Sequence, residues 1–443
     1  MFRRIQRLRQ SGIEVYPARV NRSHTVQQVQ ETEAAKCTSV IAGRLVGLDL
    51  KVGRARLKDW SGTIDLALVT QKLSEILPLL SEGDLVECTG TWSQEIYNVT
   101  AVRMLVPSLR KAPEPDATNA VCIRASLLAQ TRLFFEARGF LHVETPTLMT
   151  VPDLTPELRS FRTNFEDDKG GSYPLYLQTS PEHYMKRLLA AGCERIYQIC
   201  RFYRNGERYH THHPEFTGLE WYEAFTDYKT VMRTTEAYII SLAETLDHSG
   251  KIYYQGLEID LQPPWPRYRV RDLFLAKTGI DLNECESRDK FAAAAEDRGY
   301  EVQNSDSWDD LFHRIFLNAV EPNLPTDRPI FLTEYPSQLP SLARHVPGDS
   351  RYVERFELYM GGLELANAFT ELNDPEEQRR RFKADLQMKQ RQENYGGGID
   401  EAMLAALEFG MPPSGGIAFG LDRLAMIFAD VHTIDSIIMF RNH

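Results

Sequence analysis

The sequence predicts an α+β protein whose N-terminal part is a small closed β-barrel. Residues 1–106 contain short β-like stretches separated by Gly, Ser and Asn turns. Residues 121–443 mix helical and strand-like periods, and their strands follow one another as antiparallel hairpins rather than as βαβ units. The chain has 443 residues, of which 42% are hydrophobic and 26% charged, as expected for a globular protein of about two to three domains.

The N-terminal region, residues 1–106, is predicted to be a helix followed by the barrel. Its β-like stretches are SVIAGRLVGLDL, GRARLKDWSGTIDLALV, DLVECTGTWS and YNVTAVRMLV. Four or five strands of this length fit a five-stranded barrel of the oligonucleotide-binding (OB) type, and equally a small antiparallel barrel without a ligand. The proline-rich stretch VPSLRKAPEPDATNA then predicts a linker at 107–120.

Charge and cysteine content narrow the classes of protein. The net charge of −11 disfavours indiscriminate nucleic-acid binding but leaves room for a local basic patch. Six scattered cysteines without a CxxC pair argue against a disulfide framework or a structural zinc site. No apolar run approaches the roughly 20 residues that span a bilayer, and no secretory signal precedes the barrel. We therefore expect a cytoplasmic protein without a membrane-spanning segment.

Two consecutive strand-like stretches of the C-terminal region, ERIYQICRFYRN and EFTGLEWYEAF, predict a nucleotide-binding hairpin. A period of two places Phe216, Gly218, Glu220 and Tyr222 on one face of the second strand. Arg204 ends the first strand, so the mouth of the hairpin would offer a ring for a base and a cation for a phosphate. A partly exposed hairpin with a surface arginine is the alternative.

A second hairpin, ERFELYM-GG-LELANAFTEL, carries Glu357 and Glu364, with Gly361 and Gly362 as its turn. This turn places Tyr359 opposite Glu364, with Glu357 diagonal to it on the same face. Two such carboxylates either form a solvated acidic face or share a cation, for which Mg²⁺ beside nucleotide phosphates is the usual candidate. Three further residues share one face of the strand by alternation, and that face is opposite to the face of Glu364: Asn367, Phe369 and Glu371. Only a bulge near Ala366 would bring them into one pocket with Glu364.

The stretch GGIAFGLDRL predicts a glycine-rich strand that runs into a helix. Its small residues leave room for a ligand near the backbone, and Arg423 falls in the first turn of the helix. A helix start with an arginine suits an anionic group.

These segments resemble the three signature motifs of class II aminoacyl-tRNA synthetases. GFLHVETP is similar to motif 1, CRFYRN through HHPEFTGLEWY to motif 2, and GGIAFGLDRL to motif 3. The stretches YLQTSPEHYMKRLLAAGCERIYQICRFYRN and ELANAFTELNDPEEQRRRF resemble the lysine branch of that family. The resemblance covers residues from about Ala120 to the C-terminus, and the barrel resembles the anticodon-binding domain of the same branch.

The resemblance implies an ATP-dependent ligase, a homodimer and a set of residue roles. Arg204 and Arg423 would be catalytic, holding the α- and γ-phosphates, and Mg²⁺ would be coordinated by Glu357 and Glu364. The ATP site would contain Arg204, Glu207, His213, Phe216, Glu357 and Arg423. The amino-acid site would contain Glu182, Glu220, Tyr222, Ala366, Asn367, Phe369 and Glu371. Carboxylates suit a substrate with two ammonium groups, because a buried cation must be paired.

The sequence departs from the family pattern at a few positions. Gly206 replaces the usual glutamate after Arg-Asn in motif 2, and His213 replaces an asparagine. In the barrel, Arg54 stands where an aromatic residue usually stacks on an anticodon base, and Asp65 stands where a glutamine is usual. The motif 2 changes affect recognition of the adenine edge. The two barrel changes predict weak, salt-sensitive tRNA binding with little anticodon preference, unless Trp60 supplies the stack.

The catalytic region resembles most closely a sub-branch that attaches β-lysine to a lysine of elongation factor P. The similarity to that sub-branch lies in the stretches TSPEHYMKRLLAAGC and LEWY and in Ala366. At the position of Ala366, tRNA-charging relatives typically carry glycine. The first hypothesis is therefore activation of lysine or β-lysine with ATP and transfer to a protein lysine. The alternatives are a ligase that charges tRNA with lysine, and a silent paralogue that binds nucleic acid or a partner.

Overall fold

The computed structural model describes residues 2–31, 38–68, 73–109, 118–246, 248, 250–339, 341–392 and 397–439. The chain divides into two compact units, Met1–Thr118 and Asn119–His443, and each has its own hydrophobic core. Most of the predicted linker, residues 110–117, lies outside the described residues. Among the residues that are described, no helix is long and apolar enough to cross a membrane.

The first unit is a closed barrel in the order β1-β2-β3-β5-β4, counted over the described part of residues 2–109. Alternation builds it, since Ala55 and Leu57 of β2 are buried while Arg54 and Arg56 face outward. The predicted OB-like barrel is thereby confirmed, and Tyr97 is the largest side chain buried in its core. The elements are α1 (Phe2–Gln10), α2 (Val26–Glu31), β1 (Ser39–Asp49), β2 (Arg54–Lys58), β3 (Thr63–Ala67), β4 (Leu85–Ser93) and β5 (Ile96–Val106).

The second unit is α+β, as the sequence predicts. Its helices are α3 (Thr118–Glu136), α4 (Glu182–Ala190), α5 (Tyr228–Thr245), α6 (Val270–Thr278), α7 (Arg288–Asp297), α8 (Trp308–Ile315), α9 (Pro375–Gln392), α10 (Glu401–Gly410) and α11 (Leu421–Phe428). Its strands are β6 (Leu141–His142), β7 (Leu148–Met149), β8 (Arg162–Glu166), β9 (Ser172–Leu177), β10 (Arg195–Tyr203), β11 (Glu215–Ala224), β12 (Lys251–Tyr254), β13 (Leu257–Asp260), β14 (Arg267–Arg269), β15 (Ile330–Pro336), β16 (His345–Val346), β17 (Asp349–Met360), β18 (Leu363–Thr370) and β19 (Ser414–Gly420).

One large sheet organises this unit, in the order β14-β15-β17-β18-β19-β11-β10-β6, with β16 paired to β17. Its pairs are antiparallel except for β6 with β10 and β14 with β15. Aromatic side chains from strand and helix pack behind it, with the ring centroids of Phe135 and Trp221 5.0 Å apart. The predicted antiparallel hairpins thus lie side by side in a single sheet.

The β17–β18 hairpin has the predicted turn. It also has the bulge that is required to bring Glu364 and Asn367 to the same face. Gly361 and Gly362 have φ of +58° and +81°, a conformation that suits glycine. Tyr359 pairs with Glu364 but Leu358 pairs with Ala366, so Leu365 is the extra residue. This bulge reverses the facing of the strand beyond it, which brings Glu364 into phase with Asn367.

Candidate active site

A cavity of about 360 Å³ opens beside β11, β18 and β19 and holds nearly all of the predicted site residues. Its wall includes Glu182, Glu207, His213, Phe216, Glu220, Tyr222, Glu364, Ala366, Asn367, Phe369, Glu371 and both predicted arginines, Arg204 and Arg423. Glu357 is buried and lies on the same face of the sheet, opposite Asn367 in the β17–β18 register. Two ends can be distinguished by charge: an arginine-rich end and a carboxylate-rich end.

At the arginine-rich end, Arg204 lies over the ring of Phe216, with 5.3 Å between the guanidinium carbon and the ring centroid. Glu207 is the nearest carboxylate, 3.9 Å from Nη1 of Arg204. The buried Nε of Arg204 has no hydrogen-bond partner among the described residues, and neither does Oδ1 of Asn367. Buried polar atoms without partners are costly, so both point to a polar ligand.

Arg423 is held in place by three acceptors. It donates to the carbonyl oxygens of Glu364 at 2.6 Å and of Thr211 at 3.2 Å, and its Nη2 lies 2.6 Å from Nε2 of His212. Burial and then the charge of Arg423 lower the pKa of His212 to about 4, so its ring is neutral and accepts this hydrogen bond. As predicted, Arg423 is in the first turn of α11.

A clamp of three residues fixes the start of α11 to the strand that carries the site. The buried Asp422 accepts from Arg124 Nε at 2.8 Å and from the backbone N–H of Thr217 at 2.6 Å. Arg124 also donates to the hydroxyl of Thr217 at 2.7 Å. The clamp therefore joins α3, β11 and α11 next to Arg423.

At the carboxylate-rich end, Glu220 is 1% exposed and accepts two hydroxyl hydrogen bonds, from Ser180 at 2.5 Å and from Tyr222 at 3.0 Å. Burial, followed by the charge of Glu182, raises the pKa of Glu220 to about 8. Nζ of Lys186 lies 2.6 Å from an oxygen of Glu182 and 2.6 Å from an oxygen of Glu371. This end therefore contains three neighbouring carboxylates, of which Glu182 and Glu371 share one protein ammonium.

The glycines of the site strands differ in what they make room for: at Gly420, which lines the cavity, a Cβ would come no closer than 3.5 Å to another atom, whereas Gly416 makes room for protein groups. A Cβ on Gly416 would lie 2.2 Å from Oε1 of Glu371 and 2.3 Å from the ring of Tyr222. Gly218 has the same role on β11, because a Cβ there would lie 2.6 Å from the ring of Phe202. The space beside the backbone of Gly416 and of Gly218 is thus taken by side chains of the protein.

The predicted metal pair, Glu357 and Glu364, differs in its environment. Glu357 accepts hydrogen bonds from Arg355 at 2.6 Å, from Tyr335 at 2.6 Å and from Tyr359 at 3.0 Å. Glu364 faces the cavity, and burial together with the charge of Glu357 raises its pKa to about 7. The described residues contain no group of three or more His, Cys, Asp and Glu side chains arranged for a metal ion.

Sequence reasoning missed Ser180, Lys186, His212 and Arg355, which hold the predicted residues in place. The spacing of Glu182 and Lys186 on one helix was the only local signal, since residues four apart meet on a helix face. Nothing local indicates that Glu371 completes this group, because it lies on a different element far along the chain.

In the barrel, Arg54 and Asp65 are exposed, as their predicted contact with a nucleic acid would require. Asp65 pairs directly with Arg56 in the β2–β3 register, and Lys58 continues the outward row. Trp60, in the turn between these strands, is 67% exposed. The outward face of β2 and β3 therefore has a basic row with one carboxylate opposite it.

The comparisons with known proteins agree with this geometry. The family model for tRNA synthetases class II (D, K and N) matches residues 105–443. A lysine–tRNA ligase of Pelotomaculum thermopropionicum is 33% identical, with 99% of this chain and 92% of the relative covered. Lysine–tRNA ligases of Roseiflexus sp. and Bacillus subtilis are 34% and 31% identical, each over 99% of this chain and 96% and 95% of the relative. The chain therefore belongs to the class II tRNA synthetases of the D, K and N group and is an ATP-dependent ligase.

Proposed function

We propose that this protein activates lysine with ATP and transfers the lysyl group to a tRNA. The observation that carries the proposal is the carboxylate-rich end of the cavity, where Glu182 and Glu371 share the ammonium of Lys186 and the nearby Glu220 is bonded only to hydroxyl groups. A substrate with two ammonium groups supplies the missing positive charge, because buried charges must be paired. The relatives named lysine–tRNA ligase support the same substrate.

The arginine-rich end is assigned to ATP. Arg204, with its buried unpaired Nε, would hold the α-phosphate, and Arg423 the γ-phosphate. Phe216 would stack on adenine, with Glu207 and His213 beside it in the cavity wall. Tyr222, Ala366, Asn367 and Phe369 would complete the wall around lysine.

The reaction then needs little covalent chemistry from the protein. A carboxylate oxygen of lysine attacks the α-phosphorus, and the bond to pyrophosphate breaks. A hydroxyl of the tRNA attacks the carbonyl carbon of the adenylate, and AMP leaves. The arginines contribute by aligning the reactants and stabilising the charge that develops on the phosphate oxygens.

Mg²⁺ would be held by Glu364, with Glu357 nearby, and the residues fit this ion. Carboxylates are the ligands it prefers, and one or two are enough where phosphate oxygens and water complete the shell. The raised pKa of Glu364, caused by burial and by Glu357, is typical of two neighbouring carboxylates whose charges oppose each other. When bound, the ion would neutralise charge on the phosphates of ATP.

The comparisons change the first hypothesis on one point, the molecule that accepts the activated lysine. A protein lysine, as in elongation factor P, is favoured by the sequence, but the Pelotomaculum, Roseiflexus and Bacillus relatives are lysine–tRNA ligases aligned over 99% of this chain, barrel included. Residues 1–118 also carry 16 basic and 13 acidic side chains, whereas residues 119–443 carry 35 and 49. A basic barrel before an acidic catalytic unit suits an anionic acceptor.

The test is pyrophosphate exchange followed by transfer. Purified protein is given ATP with lysine, β-lysine or ornithine, and the active amino acid is then offered with lysine tRNA and elongation factor P in parallel. We expect exchange with lysine and labelling of tRNA. Labelling of elongation factor P alone would restore the protein-acceptor hypothesis, and no exchange with any substrate would indicate a silent paralogue.

A further inference from the structure

The buried ammonium of Lys186 ties together two elements that line the cavity. Lys186 lies on α4 and is 1% exposed, and its partner Glu182 lies one helical turn earlier. Its second partner, Glu371, follows β18 and is also 1% exposed. Both distances are 2.6 Å, so one cation is shared by a rim carboxylate and a fully buried one.

The charges of this end of the cavity can be counted. Glu182, Glu220 and Glu371 with Lys186 sum to −2 when all four are ionised. Glu220 is bonded to hydroxyl groups rather than to Lys186, so it is the carboxylate without a protein cation. Two negative charges match two ammonium groups of a bound substrate.

We propose that Lys186 is a positioning and specificity-determining residue that joins Glu371 to Glu182 and favours the ionised form of Glu371, so that the amino-acid end can reach a charge of −2 when the substrate binds. The proposal deepens the proposed function and rests on it. Without this cation the buried carboxylates Glu220 and Glu371 would take up protons more readily, because neighbouring like charges favour proton uptake. A site neutralised by protons would no longer select a substrate with two ammonium groups.

The titratable groups around this cluster come from several elements. Glu220 and Tyr222 face it from β11, and Cys200 of β10 lies beside Glu220. His183, the neighbour of Glu182 on α4, is paired with Asp400 and feels the charge of Asp153. The variants that test the proposal leave these groups unchanged.

The pKa directions agree with the geometry. Burial lowers the pKa of Lys186, but the charges of Glu182 and Glu371 outweigh it and the pKa is raised. Burial raises the pKa of Glu371 to about 7, and the ammonium of Lys186 is the main influence in the opposite direction. At pH 7, Glu220 is therefore mostly protonated and Glu371 partly so, and both lose protons when the substrate ammonium groups enter.

The experiment measures proton release on binding of L-lysine to the full-length protein. Calorimetric titrations at pH 7 in two buffers of different ionisation enthalpy give the number of protons released. The variants are Lys186→Met and Glu182→Gln, with Lys251→Met as the control because Lys251 forms an exposed ion pair with Glu258 outside the cavity. The KM values for lysine and ATP are measured in pyrophosphate exchange.

We expect the wild type and Lys251→Met to release the same number of protons, about one to two, from Glu220 and Glu371. Lys186→Met should release more, because Glu371 becomes protonated, and its KM for lysine should rise at least tenfold (about 1.4 kcal/mol) with the KM for ATP unchanged. Glu182→Gln should release less, because the pKa of Glu220 falls. A purely structural role would not move the two proton counts in opposite directions.

Equal proton counts in the wild type and Glu182→Gln overturn the proposal, even if Lys186→Met fails to fold. A Lys186→Met protein that folds and binds lysine like the wild type also overturns it. Failure of the proposed function is distinguishable, because the wild type itself would then neither exchange pyrophosphate nor bind lysine, and both proposals would fall together.

Discussion

Glu220 is a buried ionisable group that lowers the stability of the folded protein at neutral pH. The pKa of Glu220 is about 8 in the folded protein, against an ordinary value of 4.5. Between these two values the unfolded chain has lost the proton while the folded chain keeps it. The free energy of unfolding therefore decreases as the pH rises from about 4.5 to 8.

Glu220→Gln should stabilise the protein at pH 8 while reducing lysine activation. The amide cannot ionise, so the pH-dependent loss of stability disappears, and the buried ammonium of the substrate loses its partner. Calorimetric melting at pH 5 and pH 8 measures this: the gain in Tm should be clear at pH 8 and vanish near pH 5. A gain of equal size at both pH values would show that Glu220 is not the titrating group.

Arg423→Ala should reduce lysine-dependent pyrophosphate exchange by roughly 10²–10³-fold, the usual cost of losing one donor that stabilises developing charge. Lysine binding, measured by calorimetry, should persist, because Arg423 lies at the arginine-rich end of the cavity. Arg423→Lys is the matched control, which keeps the charge but loses the planar fork. Unaltered exchange in the alanine variant would remove Arg423 from the ATP site.

The predictable part of the site follows from local pattern. Period-two alternation alone places Phe216, Glu220 and Tyr222 on one face, and the start of a helix places Arg423. The partners of these residues are not predictable in this way, because Ser180 and His212 reach them across the fold. Glu357 shows the limit most clearly, since Arg355 and two tyrosines donate hydrogen bonds to its carboxylate, which the sequence pattern does not indicate.

At the scale of elements, the register of the β17–β18 hairpin was predictable from the sequence. Its bulge was predictable only on the condition that both sets of residues line one pocket. The Gly361–Gly362 turn determines the pairing of Tyr359 with Glu364, because a two-residue loop leaves one register. Leu365 carries no local signal of a bulge. Only the need to bring Glu364 and Asn367 into one pocket suggests it, and that need is functional.

The clamp of Arg124, Asp422 and Thr217 gives a prediction at this scale. Arg124→Met leaves the carboxylate of Asp422, which is 1% exposed, without its cation, and breaking a buried pair costs about 3–5 kcal/mol. We expect a lower Tm and a higher KM for ATP, because α11 carries Arg423. In the double variant Arg124→Met/Asp422→Asn, the stability should largely return, since no unpaired charge remains. A double variant as unstable as the single one would contradict this account.

At the scale of the whole molecule, we predict a two-fold homodimer that uses the outer edge of the large sheet. Strand β6 forms one edge of the sheet. Its residue Leu141 is 56% exposed, and the nearby Phe225 is 69% exposed. Large exposed apolar side chains at an open sheet edge favour a protein contact. Sedimentation should give a dimer at micromolar concentration, and Leu141→Lys should shift it toward monomer. A wild-type monomer under these conditions would refute the prediction.

The barrel face gives the last prediction, because its chemistry favours phosphate contacts over base stacking. Arg54, Arg56 and Lys58 form an outward row, and Asp65, opposite Arg56 in the strand register, offsets only one of these three charges. We expect lysine tRNA and an anticodon-swapped version to bind with similar affinity, which decreases steeply between about 50 and 200 mM salt. Each of Arg54→Ala and Arg56→Ala should lower the slope of log affinity against log salt by about one. A tenfold preference for the lysine anticodon (about 1.4 kcal/mol) that disappears in Trp60→Ala would instead assign stacking to Trp60, since a stacked base contributes roughly 1–3 kcal/mol.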